Sequence, residues 1–360
     1  MSNRNESSMN AQDAVPGIAF TGCSINSMSQ AQAQPGGRRR QVVVNGRRVK
    51  TVDVHAHCLI PEALALSSQK VLGEKRFPAL IGMTQERLRA MDEQGIDVEA
   101  LSINPFWYRE ERDVASRIVD IQNEKLTELC ASHPDRFVAF ASVALQYPDL
   151  AVQQLETAVK KLGMRGVAVG SKVAGAEFSN PKFHPFWAKC EELGILIFIH
   201  PMRVPELNAR FDGGGWMDNV IGNPLDTTFA LSHLIFDGTL DRFPGLKICS
   251  AHGGGYLGSY APRMDYYQRV RPKLFEKIPL KKKPTEYMRQ LYFDSLVFTS
   301  EALRHLVAEV GASQVMIGTD HPIPWQPESV DHILNTMELS DDERIAILGG
   351  NAAKLLGIKS

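Results

Sequence analysis

Eight short runs of apolar, mostly β-branched residues recur along the chain. They are TVDVHAH (51–57), DVEALSIN (97–104), RFVAFASVA (136–144), RGVAVG (165–170), GILIFIH (194–200), LKICSAH (246–252), LYFDS (291–295) and QVMIGTD (314–320). Each has the length and near-continuous apolar character of a strand covered on both faces. Between them the pattern changes to a helical period, as in TQERLRAMDEQG, VASRIVDIQNEKLTELCASHP, DLAVQQLETAVKKLG and SEALRHLVAEVG, and several such stretches stop at a glycine before the next strand. Strands alternating with amphipathic helices predict an α/β fold with a parallel sheet covered by helices. Eight such units predict a (β/α)8 TIM barrel. A doubly wound open sheet would give the same alternation, but no GxGxxG follows the first strand.

The first 46 residues break this pattern. They are rich in Ser, Asn, Gln, Ala and Gly and end in the basic stretch GGRRRQVVVNGRRVK. That composition predicts a disordered N-terminal tail over residues 1–46 and a single barrel domain over 47–360. PGIAFTGC resembles the end of an export signal with a lipidated cysteine, but no basic n-region and apolar h-region precede it. The segment reads as a signal remnant or an incidental tail, and the protein as cytoplasmic, with export as the alternative.

Composition narrows the partners. Lys+Arg 40 against Asp+Glu 41 leaves no basic excess for nucleic acid. No apolar run is long enough to span a bilayer. The five cysteines are scattered and form no CxxC, which excludes a disulfide framework and a cysteine-type zinc site. A small molecule is the expected partner.

The chemistry gathers at the strand ends. Strand one ends in His55-Ala-His57, and residues two apart on a strand face one side. Strand five ends in His200-Pro201, strand six in His252 followed by three glycines, and strand eight in Asp320 within GTDHP. In a barrel the C-terminal strand ends surround one shared site. His and Asp are poor residues to bury without partners. The economical reading is a metal held by His55, His57, His200 and Asp320, with His252 beside it as acid or base. Three imidazoles and a carboxylate suit zinc, with a position left for water or substrate. His321 neighbours Asp320 but points the other way in an extended stretch, so it is not counted as a ligand. The remaining histidines fall in helical or loop text and read as structural or surface residues.

With these residues in place, the chain resembles the amidohydrolase superfamily, and within it the amidohydrolase-2 group. That group includes 2-amino-3-carboxymuconate-6-semialdehyde decarboxylase and several aromatic-acid decarboxylases. The resemblance spans residues 51 to about 356 and rests on DVHAH, IFIHP, RFPGLKICSAHGGG and VMIGTDHP in that order. It implies a metal-containing barrel, usually with zinc and sometimes manganese. It also implies ligands at His55, His57, His200 and Asp320 and a catalytic histidine at His252. It further implies that Arg263, eleven residues past His252, reaches a neighbouring subunit's site and pairs with a substrate carboxylate. A homodimer or dimer-based oligomer follows from that. Two positions depart from the pattern. Arg76, in EKRFPALIGMTQERL, does not match the family's arginine cleanly, and Ile323 stands where an aromatic residue is usual. Trp107, in WYRE, and Trp216 are candidates to line a pocket for a flat, conjugated acid.

The favoured reaction is non-oxidative decarboxylation of an aromatic or conjugated carboxylic acid, a carbon–carbon lyase, with no organic cofactor. Asp320 would share proton transfer with His252. The same ligands would also serve a hydrolase of an ester, lactone or amide, or a hydratase. Lys172, just past strand four, is the position to inspect for a binuclear hydrolase. A non-catalytic binding protein would be expected to lose a ligand or His252, and all five positions are intact.

Overall fold

The computed structural model describes residues 39–67, 85–104, 106–211, 217–323 and 328–359. Eight strands form one sheet: β1 Val52–Cys58, β2 Val98–Ile103, β3 Phe137–Ala141, β4 Gly166–Gly170, β5 Leu196–His200, β6 Lys247–Ser250, β7 Tyr292–Asp294 and β8 Val315–Met316. They lie in sequence order and every neighbouring pair is parallel. Main-chain hydrogen bonds close the sheet between its first and last strands. Val54 N–H donates to Ile317 O at 3.1 Å, Asp320 N–H to His55 O at 2.7 Å, and His57 N–H to His321 O at 2.7 Å. The fold is the (β/α)8 barrel that the strand and helix periods predict.

Helices follow the strands in turn: α1 Gln85–Gln94, α2 Arg112–Ser132, α3 Pro148–Lys160, α4 His184–Leu193, α5 Asn223–Phe236, α6 Leu257–Val270, α7 Ser300–Val310 and α8 Asn351–Leu356. Gly194, at φ +62, ends α4 and donates its N–H to Cys190 O and Glu191 O. Glycine suits this left-handed position because it has no Cβ to clash. No helix among the described residues is long and apolar enough to cross a membrane.

Strand alternation divides the core into two parts. Val54, Phe140, Leu196, Phe198 and Met316 point inward and are fully buried, while Phe137, Ile197 and Ile317 face the helices. Phe140 and Phe198 stack with ring centroids 5.8 Å apart. Each buried phenylalanine contributes about 1.5–3 kcal/mol through apolar burial. This plug fills the barrel and confines any site to its C-terminal mouth.

β1 carries the device that brings its histidines into that mouth. Asp53 pairs with Glu99 and Ala56 with Leu101, so three steps on β1 oppose two on β2. The extra residue is a bulge, and a one-residue shift reverses which face a side chain occupies. Val52 and Val54 pack in the barrel interior, and past the bulge His55 and His57 point inward as well. Asp53 holds the bulge. It accepts from His55 N at 2.9 Å, Thr319 N at 3.2 Å and Thr319 Oγ1 at 2.6 Å. Burial raises the Asp53 carboxyl to about 7, with Glu99 adding to the shift and Thr319 opposing it.

Residues 1–38 of the expected N-terminal tail lie outside the described residues. Residues 39–46 are described and pack on the barrel, so its body begins before residue 47. Val43–Val44 pairs with Arg47–Arg48 in a short antiparallel hairpin, with Val42, Val44 and Val49 buried. Arg48 binds both oxygens of Asp97 at 2.6 and 2.8 Å, at the start of β2 and away from the mouth. Arg39 pairs with Asp92 and Asp97, and Arg40 with Asp331, so these basic residues have acidic partners that composition alone does not show.

Candidate metal centre at the strand C-termini

Four donors meet where β1, β5 and β8 end. One ligand atom from each of His55, His57, His200 and Asp320 lies within 4.8 Å of the others, and all four residues are buried. His55 Nε2 is 3.0 Å from His57 Nε2, and Asp320 Oδ1 is 3.2 and 2.9 Å from those two nitrogens. The His57 and His200 ring centroids are 4.8 Å apart.

The outer nitrogens of His55 and His57 show which tautomer each ring holds. His55 Nδ1 faces Asp294 Oδ2 at 2.6 Å, a carboxylate that can only accept. His57 Nδ1 faces Ser102 Oγ at 2.9 Å, and Ser102 already donates to Ala56 O at 3.2 Å. The Nδ1 atoms of His55 and His57 therefore carry the proton, and their Nε2 lone pairs turn toward Asp320. His200 Nδ1 lies between an acceptor, Pro201 O at 2.9 Å, and a donor, Asn104 Nδ2 at 2.8 Å. Lone pairs this close repel one another unless a cation lies between them, and imidazoles oriented by such partners are typical metal ligands. The residues fit a divalent metal.

The local field agrees. Burial opposes charge on His55, yet Asp320 and Asp294 outweigh it and raise this imidazole to about 10. Burial also opposes ionisation of Asp320, but His55, His252 and His57 hold its carboxyl well below the usual range. His200 is pushed well below the usual histidine range by burial and by the neighbouring imidazoles. The cluster calls for one positive charge, which a proton at His55 or a bound cation supplies.

His252 stands at the edge of this group. Its Nε2 is 3.8 Å from Asp320 Oδ2, and its ring centroid is 5.1 Å from that of His55. Its Nδ1 has no hydrogen-bond partner among the described residues. Its backbone is left-handed, at φ +55, and is pinned by Asp294, which accepts His252 N–H at 3.0 Å and Gly253 N–H at 2.8 Å. Sequence reasoning passed over Asp294, although it ends β7 as Asp320 follows β8. Gly318 makes room for it, since a Cβ at that position would lie 2.7 Å from Asp294 Cβ.

The other sequence candidates fall elsewhere. Trp107 is not gathered with the histidines. It is buried in the layer between β2 and α2, beside Ile103, Ala115, Val119 and Val143. Phe106 lies near Gly170 at the end of β4. Trp216 and Arg76 lie outside the described residues. Arg263 is exposed on α6. Lys172 approaches Asp226 Oδ1 at 3.5 Å and Glu206 Oε2 at 3.6 Å and is not part of the donor cluster. His321 turns away from the donors and meets Glu99 Oε1 through Nδ1 at 2.8 Å.

Comparison with known proteins adds a family. A family model described as amidohydrolase matches residues 52–358. The 2-amino-3-carboxymuconate-6-semialdehyde decarboxylase of Dictyostelium discoideum is 30% identical over 282 residues, 76% of this chain and 76% of that one. The gamma-resorcylate decarboxylase of Rhizobium radiobacter is 29% identical over 322 residues, 84% of this chain and 97% of that one. Among solved structures, a dihydroxybenzoic acid decarboxylase from a Polaromonas species superposes with a TM-score of 0.76 at 26% identity. The match covers 86% of this chain and 97% of that one, which was solved with bound manganese and the inhibitor 2-nitroresorcinol.

Proposed function

The chain belongs to the amidohydrolase family, and from that premise we propose that it is a metal-dependent carboxy-lyase removing CO2 from an aromatic or conjugated carboxylic acid. The observation that carries this reading is the convergence of three imidazoles and the Asp320 carboxylate beside His252. His55, His57, His200 and Asp320 would hold the metal. The imidazole-rich set suits zinc, while manganese, bound in the Polaromonas relative, is the second candidate.

A metal bound there supplies Lewis acidity toward a substrate oxygen. The residues do the rest. His252 holds a proton at Nε2, and Asp320 Oδ2, 3.8 Å away, can exchange it. That proton goes to the carbon bearing the carboxylate, where a C–H bond forms. The C–C bond then breaks, its electron pair returns to the conjugated system, and CO2 leaves. The Phe140–Phe198 plug closes the site from below.

A first test is elemental analysis of the purified protein with a CO2-release screen on dihydroxybenzoates and muconate-type acids. The expected result is about one metal per chain and CO2 release that chelation abolishes and metal restores. Metal without CO2 from any acid would move the reading to a hydrolase or hydratase. A chain that takes up no metal would end it.

The proposed assembly is a homodimer packed through α6. Tyr260, Val270 and Leu274 are 64%, 62% and 64% exposed along α6 and just beyond it, with Arg263 on the same helix. Isolated apolar residues are ordinary on a surface, and three along one helix and its end are what supports a packing face there. Arg263 would then bind a substrate carboxylate in its partner's site. Arg263→Ala and His252→Asn protomers, each nearly inactive alone, should regain activity when mixed. The mixed dimer would hold one site with both an intact His252 and an intact incoming Arg263. No recovery after verified subunit exchange would place Arg263 outside the partner's site.

A further inference from the structure

Asp320 differs from the other three donors in its backbone. It lies in the left-handed region, at φ +59, whereas the three histidines belong to strands. An L-residue adopts that conformation at an energetic cost, eased but not removed for aspartate. Something must hold it there, and the next residue has the contacts to do so.

We propose that His321 is a positioning residue which, through Glu99 and Arg87, locks Asp320 with its carboxylate facing His55 and His57. The contacts form a closed circuit. His321 Nδ1 meets Glu99 Oε1 at 2.8 Å, and Arg87 Nε donates to Glu99 Oε2 at 2.7 Å. Arg87 Nη1 donates to His57 O at 2.8 Å. His57 N–H donates to His321 O at 2.7 Å and completes the ring. Asp320 N–H, on His55 O at 2.7 Å, ties the ligand to the same strand. The circuit thus joins the backbones of three of the four donors, using side chains that touch none of the donor atoms.

Burial makes the circuit stiff. Glu99 and Arg87 are 1% and 0% exposed, and Glu99 points out of the barrel toward α1. Burial disfavours the Glu99 carboxylate, yet Arg87 and His321 hold it down to about 2. A buried ion pair is a weak source of stability, and its best-attested use is to fix one arrangement among several. Here that arrangement is the turn from Asp320 to His321. His321 is only partly buried, at the rim of the mouth, so its side chain can be altered without opening the core.

The inference rests on the reading of the four donors as a metal site, and metal affinity tests it apart from turnover. His321→Ala should weaken manganese or zinc binding by about tenfold to a hundredfold, the usual effect of losing a partner that orients a ligand. The melting temperature of its metal-free form should stay close to that of the parent. His321→Asn should recover most of the affinity, because the Asn amide N–H can stand where Nδ1–H stood and donate to Glu99. An affinity within twofold of the parent in His321→Ala would overturn the positioning role alone. So would an equal loss in His321→Asn, which would mark the imidazole itself as what matters. A parent that binds neither metal would overturn the metal-site reading beneath it, and the inference with it.

Discussion

Replacing His252 with asparagine is expected to cut CO2 release by about 10²–10⁴-fold in kcat, the usual worth of a positioned general acid or base. Metal content should stay near that of the parent. Asparagine is the informative substitution because His252 sits at φ +55, a conformation asparagine adopts more readily than alanine. His252→Ala would add backbone strain to the lost proton and blur the result. The His252 ring lies next to the donors but outside the four-atom cluster, with Nε2 toward Asp320. Its loss should therefore remove proton transfer and leave the metal held. Measuring kcat and bound metal on the same sample separates the two. A variant that loses metal in proportion to activity would make His252 a ligand, and one that keeps full activity would remove it from the reaction.

The barrel was legible because strand and helix periods are local. Each apolar run is read from its own residues, and seven of the eight strands lie within the runs the pattern marks, β1 passing its run by one residue, Cys58. The donors were legible because polar side chains at strand ends stand out against apolar text, and the fold supplies their convergence. What escaped depends on distant pairing. Asp294 reads in LYFDS as an ordinary polar strand end, and its partner His55 lies 239 residues away. The bulge in β1 is invisible in TVDVHAH, because an extra residue exists only against the register of β2. The pairing of His321 with Glu99 spans 222 residues and gives no local signal. The place of Trp107 escaped for a different reason. A sequence shows that an aromatic residue follows a strand, but not which way the chain turns there.

Replacing Asp294 with asparagine is the change of second-largest expected effect, and the number of its hydrogen bonds explains why. One oxygen accepts from His55 Nδ1 at 2.6 Å and His252 N at 3.0 Å. The other accepts from Gly253 N at 2.8 Å and Leu296 N at 3.1 Å. All four contacts need an acceptor, and Asp294 is fully buried. Asparagine has one acceptor oxygen and one amino group, so whichever way it turns, two donors face a donor. Each such unmet buried donor costs about 1–3 kcal/mol. Turned with its oxygen toward His55, it unpins the loop that carries His252. Turned the other way, it presents N–H to His55 Nδ1 and favours the tautomer whose proton sits on Nε2, where the metal should bind. Either way a part of the site is lost, and the change in metal affinity should be about tenfold to a hundredfold. Thermal unfolding and metal titration on Asp294→Asn should fall together, in contrast to His252→Asn, where metal affinity holds. An Asp294→Asn protein that keeps the parent's metal affinity and stability would show that His55 needs no carboxylate behind it.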